Sequence, residues 1–146
     1  MNNFKNILVV SRSSKDCPKV FETGITLAKQ FNAHLTLMHV IHDPFYMEGW
    51  NLPVPYLEEE YQRLVEKIRK ELEKKVRVGK EEGVDITEVV EEGKPDEVII
   101  DFVKKEKVDL IVMLAHEEGR LEHFLFGKTN DRLVRKIPTS ILLCKC

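Results

Sequence analysis

The sequence has no run of apolar residues long enough to cross a membrane, and it has little cysteine. A membrane-spanning helix needs roughly 18 or more consecutive apolar residues, so we expect no membrane anchor. The residues before Asn6 lack the apolar segment of a secretory leader. Three cysteines in 146 residues are too few and too unevenly placed for a disulfide framework. Together these absences predict a protein of the reducing cytoplasm.

Neither sign of charge dominates the chain, which has 23 basic and 25 acidic residues and a net charge of −2. Without a basic excess it lacks the electrostatic footprint of a nucleic-acid-binding protein, so we expect no nucleic-acid partner. Charged residues still make up 33% of the sequence, above the usual value of about 25%. Many form pairs four residues apart, such as Glu66 with Lys70, and this spacing is typical of solvent-exposed helix faces.

Short apolar runs alternate with stretches of helical spacing. The apolar runs predict strands at residues 7–10, 33–41, 85–90, 108–114 and 140–144. The first helix is predicted to be capped by Asp16, with Pro18 in its first turn. A loop is predicted at 42–55, followed by a long helix that ends at Gly79 or Gly83. Two more helices are predicted, one starting at 93–96 and one at about 129–136. This alternation predicts a single α/β domain over residues 1–146, with an open parallel sheet and helices on both faces.

Polar segments follow the first and the fourth predicted strand, at residues 11–14 and 115–120. Ligands of open α/β sheets bind where the carboxyl ends of strands meet at a switch point, so these segments predict a site. A helix opening near Gly127 would direct its N–H groups to the same edge and favour an anion. A P-loop is excluded, because it needs a glycine where Glu122 stands and must directly follow a strand.

Four segments resemble the universal stress protein family, and together they span nearly the whole chain. They are residues 5–10, residues 27–40, residues 108–113 followed by His116, and residues 126–143. The resemblance implies a Rossmann-like sheet of five parallel strands in the order 3-2-1-4-5, and commonly a dimer. The last two segments are the specific part of this match, since β/α alternation alone is common.

The resemblance also implies a place for a nucleotide. Members that bind ATP carry the pattern Gly-x2-Gly-x9-Gly-[Ser/Thr], which falls on Leu114, Glu117, Gly127 and Lys128 of this chain. An acidic residue of those members corresponds to Arg12. The candidate pocket comprises Val10, Ser11, Arg12, Val40, Met113, Leu114, His116, Glu117, Gly127, Lys128, Thr129 and Asn130, with Val40 near the adenine.

The family's phosphate pattern is broken in this chain, and the substitutions act in one direction. Glycines let phosphate oxygens approach backbone N–H groups, whereas Leu114 adds bulk and Glu117 adds a carboxylate that repels polyphosphate. We therefore expect no resident cofactor and disfavour ATP, although ATP binding stays possible. Three basic residues near the site have two interpretations: Arg12, Arg120 and Lys128. In one interpretation they form an anion pocket. We favour the other interpretation, in which nearby acidic residues neutralise them, namely Glu117, Glu118 and Asp131.

No arrangement of residues predicts catalysis or a metal site. His116 has no nucleophile or partner acid near it in sequence, so a structural histidine is favoured over a general base. His34, His39 and His42 do not supply the four ligands of a zinc site.

The chain ends in a C-x-C motif, residues 144–146. Metal or redox use across a dimer is one interpretation of this motif. We favour the other, in which Cys144 packs inward and Cys146 is frayed.

The sequence thus predicts a regulatory, stress-response binding domain with no chemistry of its own. The alternatives are an ATP-binding universal stress protein that acts as a nucleotide-dependent switch, and a structural dimeric module. The last strand is apolar and lies at the sheet edge in the implied order, which predicts a homodimer built on residues from Thr139 to Lys145. A further, unknown protein partner stays possible, and the aromatic segment 45–50 is the candidate contact surface for it.

Overall fold

A computed structural model describes residues 3–11, 17–41, 54–115 and 130–146, with the backbone alone for 54–57. Strands and helices alternate along the chain as predicted. They are β1 (Asn6–Ser11), α1 (Pro18–Phe31), β2 (His34–Ile41), α2 (Val54–Glu81), β3 (Asp85–Glu92), α3 (Pro95–Glu106), β4 (Leu110–Leu114) and β5 (Ser140–Cys144). Residues 130–136 are also helical. Within these described ranges, no helix is long and apolar enough to cross a membrane.

The five strands form one parallel sheet in the order β3-β2-β1-β4-β5, which confirms the predicted fold. The chain builds outward from β1 to β2 and β3, and then returns to place β4 on the other side of β1. The carboxyl ends of β1 and β4 therefore flank the switch point. Ser11 ends β1 and Leu114 ends β4, so both polar segments singled out in the sequence leave from this place.

The core has two layers because successive strand residues point to opposite faces of the sheet. On one face, the α1-side cluster packs Ile7 and Val9 of β1 against residues of α1 and α2. On the other face, the α3-side cluster packs Leu8 and Val10 against α3 and against Leu133 of the helical segment 130–136. Both faces of β1 are thus buried, as its continuous apolar run predicts.

The cap of α1 differs from the prediction. The N-cap residue is Cys17, with extended backbone and no side-chain cap hydrogen bond, so the assignment of Asp16 as the cap was wrong. Pro18 at the first helical position explains the difference, because a proline pushes the residue before it out of helical backbone. Asp16 itself lies outside the described residues.

The long helix α2 begins at Val54, two residues inside the loop predicted at 42–55, and the rest of that loop lies outside the described residues. It continues past Gly79 and ends at Glu81, just before Gly83, whose φ of 84° suits a helix terminus. Gly79 is a packing residue instead, since a Cβ there would lie 3.0 Å from Cδ1 of Ile86.

The C-terminal cysteines correct a second prediction. Cys146 forms a disulfide with Cys17, with the two Cα atoms 6.1 Å apart, so it is not frayed. Cys144 is buried and free, which confirms its predicted inward packing. The two bonded residues are 129 positions apart in sequence, and they meet because α1 starts at the carboxyl end of β1 and Cys146 follows the carboxyl end of β5.

Candidate functional site

The switch point between β1 and β4 holds the described half of the predicted pocket. Val10, Ser11, Val40, Met113, Leu114 and Asn130 fall within the described residues. The other predicted pocket residues, Arg12, His116, Glu117, Gly127, Lys128 and Thr129, lie outside them.

Three of the predicted residues form a common apolar layer. Val10, Val40 and Met113 are all buried and belong to the α3-side cluster. They come from three strands, β1, β2 and β4, that lie side by side in the sheet. The side chains are no more than 4% exposed, so they form a floor beneath the carboxyl edge rather than an open wall.

Leu114 lies apart from this floor. It is one residue beyond Met113, so its side chain points to the opposite face and packs, half-buried, against the α1-side cluster. Leu114 stands where the resemblance implies the first phosphate glycine, and its side chain is accommodated by the core under α1. The sequence pattern does not show this packing, because it gives the position of Leu114 but not the face of the sheet to which its side chain points.

Asn130 joins the end of β4 to the helical segment 130–136. Its side-chain amide donates to the main-chain oxygens of Leu114 at 3.2 Å and Ala115 at 3.1 Å. On the other side of the strand, the N–H of Ala115 donates to the oxygen of Cys144 at 2.8 Å. The residue predicted to touch a ligand thus also fixes the backbone where the chain leaves β4.

A histidine lies directly beside the end of β1. His39 is the parallel partner of Ser11 in β2. Burial, and secondarily the charge of Lys75 on α2, lowers the pKa of His39 to about 4. The imidazole is therefore neutral at pH 7 and contributes no positive charge to the neighbourhood of the site.

Ion pairs around the helical segment 130–136 occupy three of its charged side chains. Asp131 pairs with Arg135 at 3.4 Å, one helical turn away, although it was considered as a neutralising partner for pocket cations. Arg132 lies 3.6 Å from Asp96, a buried acid in the first turn of α3. These contacts connect this segment to itself and to α3, on the α3 side of the sheet.

A polar cluster at the opposite, amino edge of the sheet was missed in the sequence. Nδ1 of His34 lies 2.9 Å from a carboxylate oxygen of Asp85, and Nε2 lies 3.1 Å from the hydroxyl of Thr87. The signal becomes visible only with the strand register, in which His34 and Asp85 are direct partners. The cluster ties the edge strand β3 to β2. Within the described ranges, no three His, Cys, Asp or Glu side chains are placed to hold a metal ion.

Comparison with known proteins gives one consistent match. The sequence model of the universal stress protein family matches residues 3–145. A universal stress protein of Methanocaldococcus jannaschii is 31% identical over 149 residues, covering 99% of this chain and 84% of that protein.

Solved structures show the same fold. Universal stress protein UspA from Lactobacillus plantarum superposes with a TM-score of 0.79 at 21% identity, covering 98% of this chain and 99% of that one. The universal stress protein from Archaeoglobus fulgidus in complex with dAMP gives a TM-score of 0.65 at 14% identity, with 98% of each chain covered.

Proposed function

Because the chain belongs to the universal stress protein family, we propose that it serves as a regulatory binding domain in a stress response, without tight ATP binding and without chemistry of its own. One observation carries the proposal. The phosphate pattern that the resemblance implies has Leu114 and Glu117 at its two leading glycines and Lys128 at its hydroxyl position. Because the Leu114 side chain packs toward α1, the carboxylate of Glu117 is the main obstacle to phosphate. A polyphosphate needs bare backbone N–H donors at such glycines, and a carboxylate beside them repels it.

A second candidate function, a nucleotide-dependent switch, is favoured by the floor under the site. Val10, Val40 and Met113 offer a buried apolar layer below the carboxyl edge, and the resemblance places Val40 near the adenine of ATP-binding members. The universal stress protein from Archaeoglobus fulgidus was solved in complex with dAMP, a nucleotide with one phosphate. An apolar floor beside an altered phosphate pattern suits a nucleoside monophosphate better than ATP.

Calorimetry with Mg-ATP and with AMP, each at low and at high salt, tests the two candidates. The regulatory domain without tight ATP binding predicts either no heat or weak binding that disappears as salt is added, because only screened charges attract the phosphates. Lys128→Ala is the informative variant, since it removes the one cation placed on the pattern itself. A dissociation constant for Mg-ATP or for AMP at or below about 1 μM that Lys128→Ala leaves unchanged would establish the nucleotide switch instead.

We further propose that β5 is the interface of a homodimer, from Thr139 to Lys145. The side chains of Leu142 and Leu143 are 38% and 41% exposed although they pair with the buried Val112 and Met113 of β4. Consecutive strand residues face opposite sides, so apolar surface is exposed on both faces of this sheet edge. An apolar edge strand with open hydrogen-bonding groups favours pairing with a second copy of itself across a two-fold axis.

A further inference from the structure

The disulfide joins two parts of the fold that are not neighbours in the sheet. Cys17 is the N-cap of α1, which contacts β1 and β4, and Cys146 is the second residue after β5. In the strand order, β4 lies between β1 and β5. Cys17 packs against the α1-side cluster, to which Cys144 and Leu114 also belong. The covalent link therefore connects the helix above the switch point to the tail of the edge strand, on the face that holds the Leu114 side chain.

The two bonded residues differ in their exposure. Cys146 is exposed, whereas Cys17 is half-buried at the N-cap of a 14-residue helix. A reductant in solution therefore reaches Cys146 more easily. A thiolate released on Cys17 lies at the positive end of the α1 dipole, which favours its negative charge. This asymmetry directs attack to one sulfur and makes the other a good leaving group.

We propose that the Cys17–Cys146 pair is a redox modification site, opened and closed by exchange with a dithiol. A thiolate of the dithiol attacks the sulfur of Cys146, forms a mixed disulfide and releases Cys17 as a thiolate. The second thiol of the dithiol then attacks the mixed disulfide, which frees Cys146 and leaves the dithiol oxidised to its cyclic disulfide. Two electrons and two protons pass from the dithiol to the pair, and an oxidised dithiol reverses the step.

Opening the pair acts on the edge of the candidate site. The tail after β5 loses its covalent anchor to α1, while the strand itself keeps the contact between the oxygen of Cys144 and the N–H of Ala115. The state of the pair is measured by thiol labelling and by thermal stability, neither of which depends on nucleotide binding or on the proposed function.

The test equilibrates the folded protein in mixtures of reduced and oxidised dithiothreitol, then quenches it in denaturant with N-ethylmaleimide for mass spectrometry. The oxidised protein is expected to carry one label, on Cys144, and the reduced protein three, with one reversible two-electron transition between them. Reduction is expected to lower the melting temperature by about 10 °C, because the bond closes a loop of most of the chain. Three labels without any reductant, or a pair that dithiothreitol opens only after unfolding, would overturn the proposal.

Single cysteine variants complete the test. Cys17→Ser and Cys146→Ser are each expected to melt near the temperature of the reduced protein and to lose their response to dithiothreitol. Cys144→Ser is the matched control, since it removes the free thiol two positions from Cys146, and it is expected to retain the redox transition. Non-reducing electrophoresis distinguishes a bond within one chain from a bond between copies. A covalent dimer that only Cys146→Ser or Cys17→Ser abolishes would also overturn the proposal.

Discussion

The side-chain amide of Asn130 donates a hydrogen bond to the main-chain oxygen of Leu114 over 3.2 Å. A second bond from the same nitrogen reaches the oxygen of Ala115 at 3.1 Å. The Asn130 side chain thus fixes the backbone at the end of β4. Any ligand that binds at the switch point meets a strand end whose position depends on this contact.

Asn130→Ala is expected to destabilise the fold by about 1–3 kcal/mol, because two part-buried carbonyl oxygens lose their donor. Chemical denaturation of the variant and the wild type gives this difference directly. Arg135→Ala is the matched control on the same segment, since it removes only the exposed pair with Asp131, and a change of less than about 0.5 kcal/mol is expected. Equal effects of the two substitutions would contradict the role of Asn130.

His39 predicts a loss of stability in mild acid. Its pKa is lowered to about 4 in the folded protein from an ordinary value of 6.5, chiefly by burial and then by Lys75. Between these values the unfolded chain binds more protons than the folded one, so stability rises with pH and falls as pH drops through this window. The free energy lost by pH 4 is expected to be roughly 1–3 kcal/mol.

Urea denaturation of the wild type and of His39→Gln, from pH 7 to pH 4, measures this loss. Both proteins share every carboxylate, so the difference between their pH profiles isolates the histidine. The wild type is expected to lose stability more steeply than the variant below pH 6.5, with the gap complete near pH 4. Parallel profiles for the two proteins would show that the pKa of His39 is not lowered in the folded state.

The dimer interface on β5 is tested by a charge at its centre. Leu142→Lys places an ammonium group on an exposed apolar edge, and we expect the dimer to weaken by about a hundredfold or more. Val78→Lys is the control, because Val78 is 47% exposed on α2. This helix packs against β3 and β2, at the opposite side of the sheet from β5, so the substitution is expected to leave the association unchanged. Sedimentation equilibrium measures both variants. A wild-type protein that is monomeric at a concentration of roughly tens of micromolar would contradict this interface, and so would a dimer that Leu142→Lys does not weaken.

The strands of the sheet could be predicted from the sequence because they coincide with runs of apolar residues. The run at residues 7–10 is buried on both faces, as expected for a central strand of a sheet that helices cover on both sides. The sheet order came from the family resemblance, since the runs alone do not say which strand lies beside which. Local backbone rules were harder to apply, because Pro18 moved the cap of α1 to Cys17 by constraining the residue before it.

The remaining features depend on contacts between distant parts of the chain. The pairing of Cys17 with Cys146 requires two carboxyl ends of parallel strands to meet across 129 residues, and three cysteines alone allow three different pairs. The face to which Leu114 points depends on which residues of β4 face each side of the sheet. The hydrogen bonds of Asn130 depend on where the helical segment 130–136 packs against the sheet. The spacing of residues along the sequence does not predict the disulfide, the direction of Leu114 or the contacts of Asn130.

The last prediction concerns the recovery of ATP binding. Glu117→Gly restores one glycine of the family pattern and removes a negative charge, so we expect affinity for Mg-ATP to rise about tenfold or more over the wild type. Leu114→Gly restores the other glycine but removes a side chain that packs against the α1-side cluster, and it is expected to cost about 1–3 kcal/mol of stability. Calorimetry and thermal melting of both variants separate these effects. If Glu117→Gly gains nothing while the wild type already binds Mg-ATP at about 1 μM or tighter, the broken pattern does not control the site, and the nucleotide switch is the correct function.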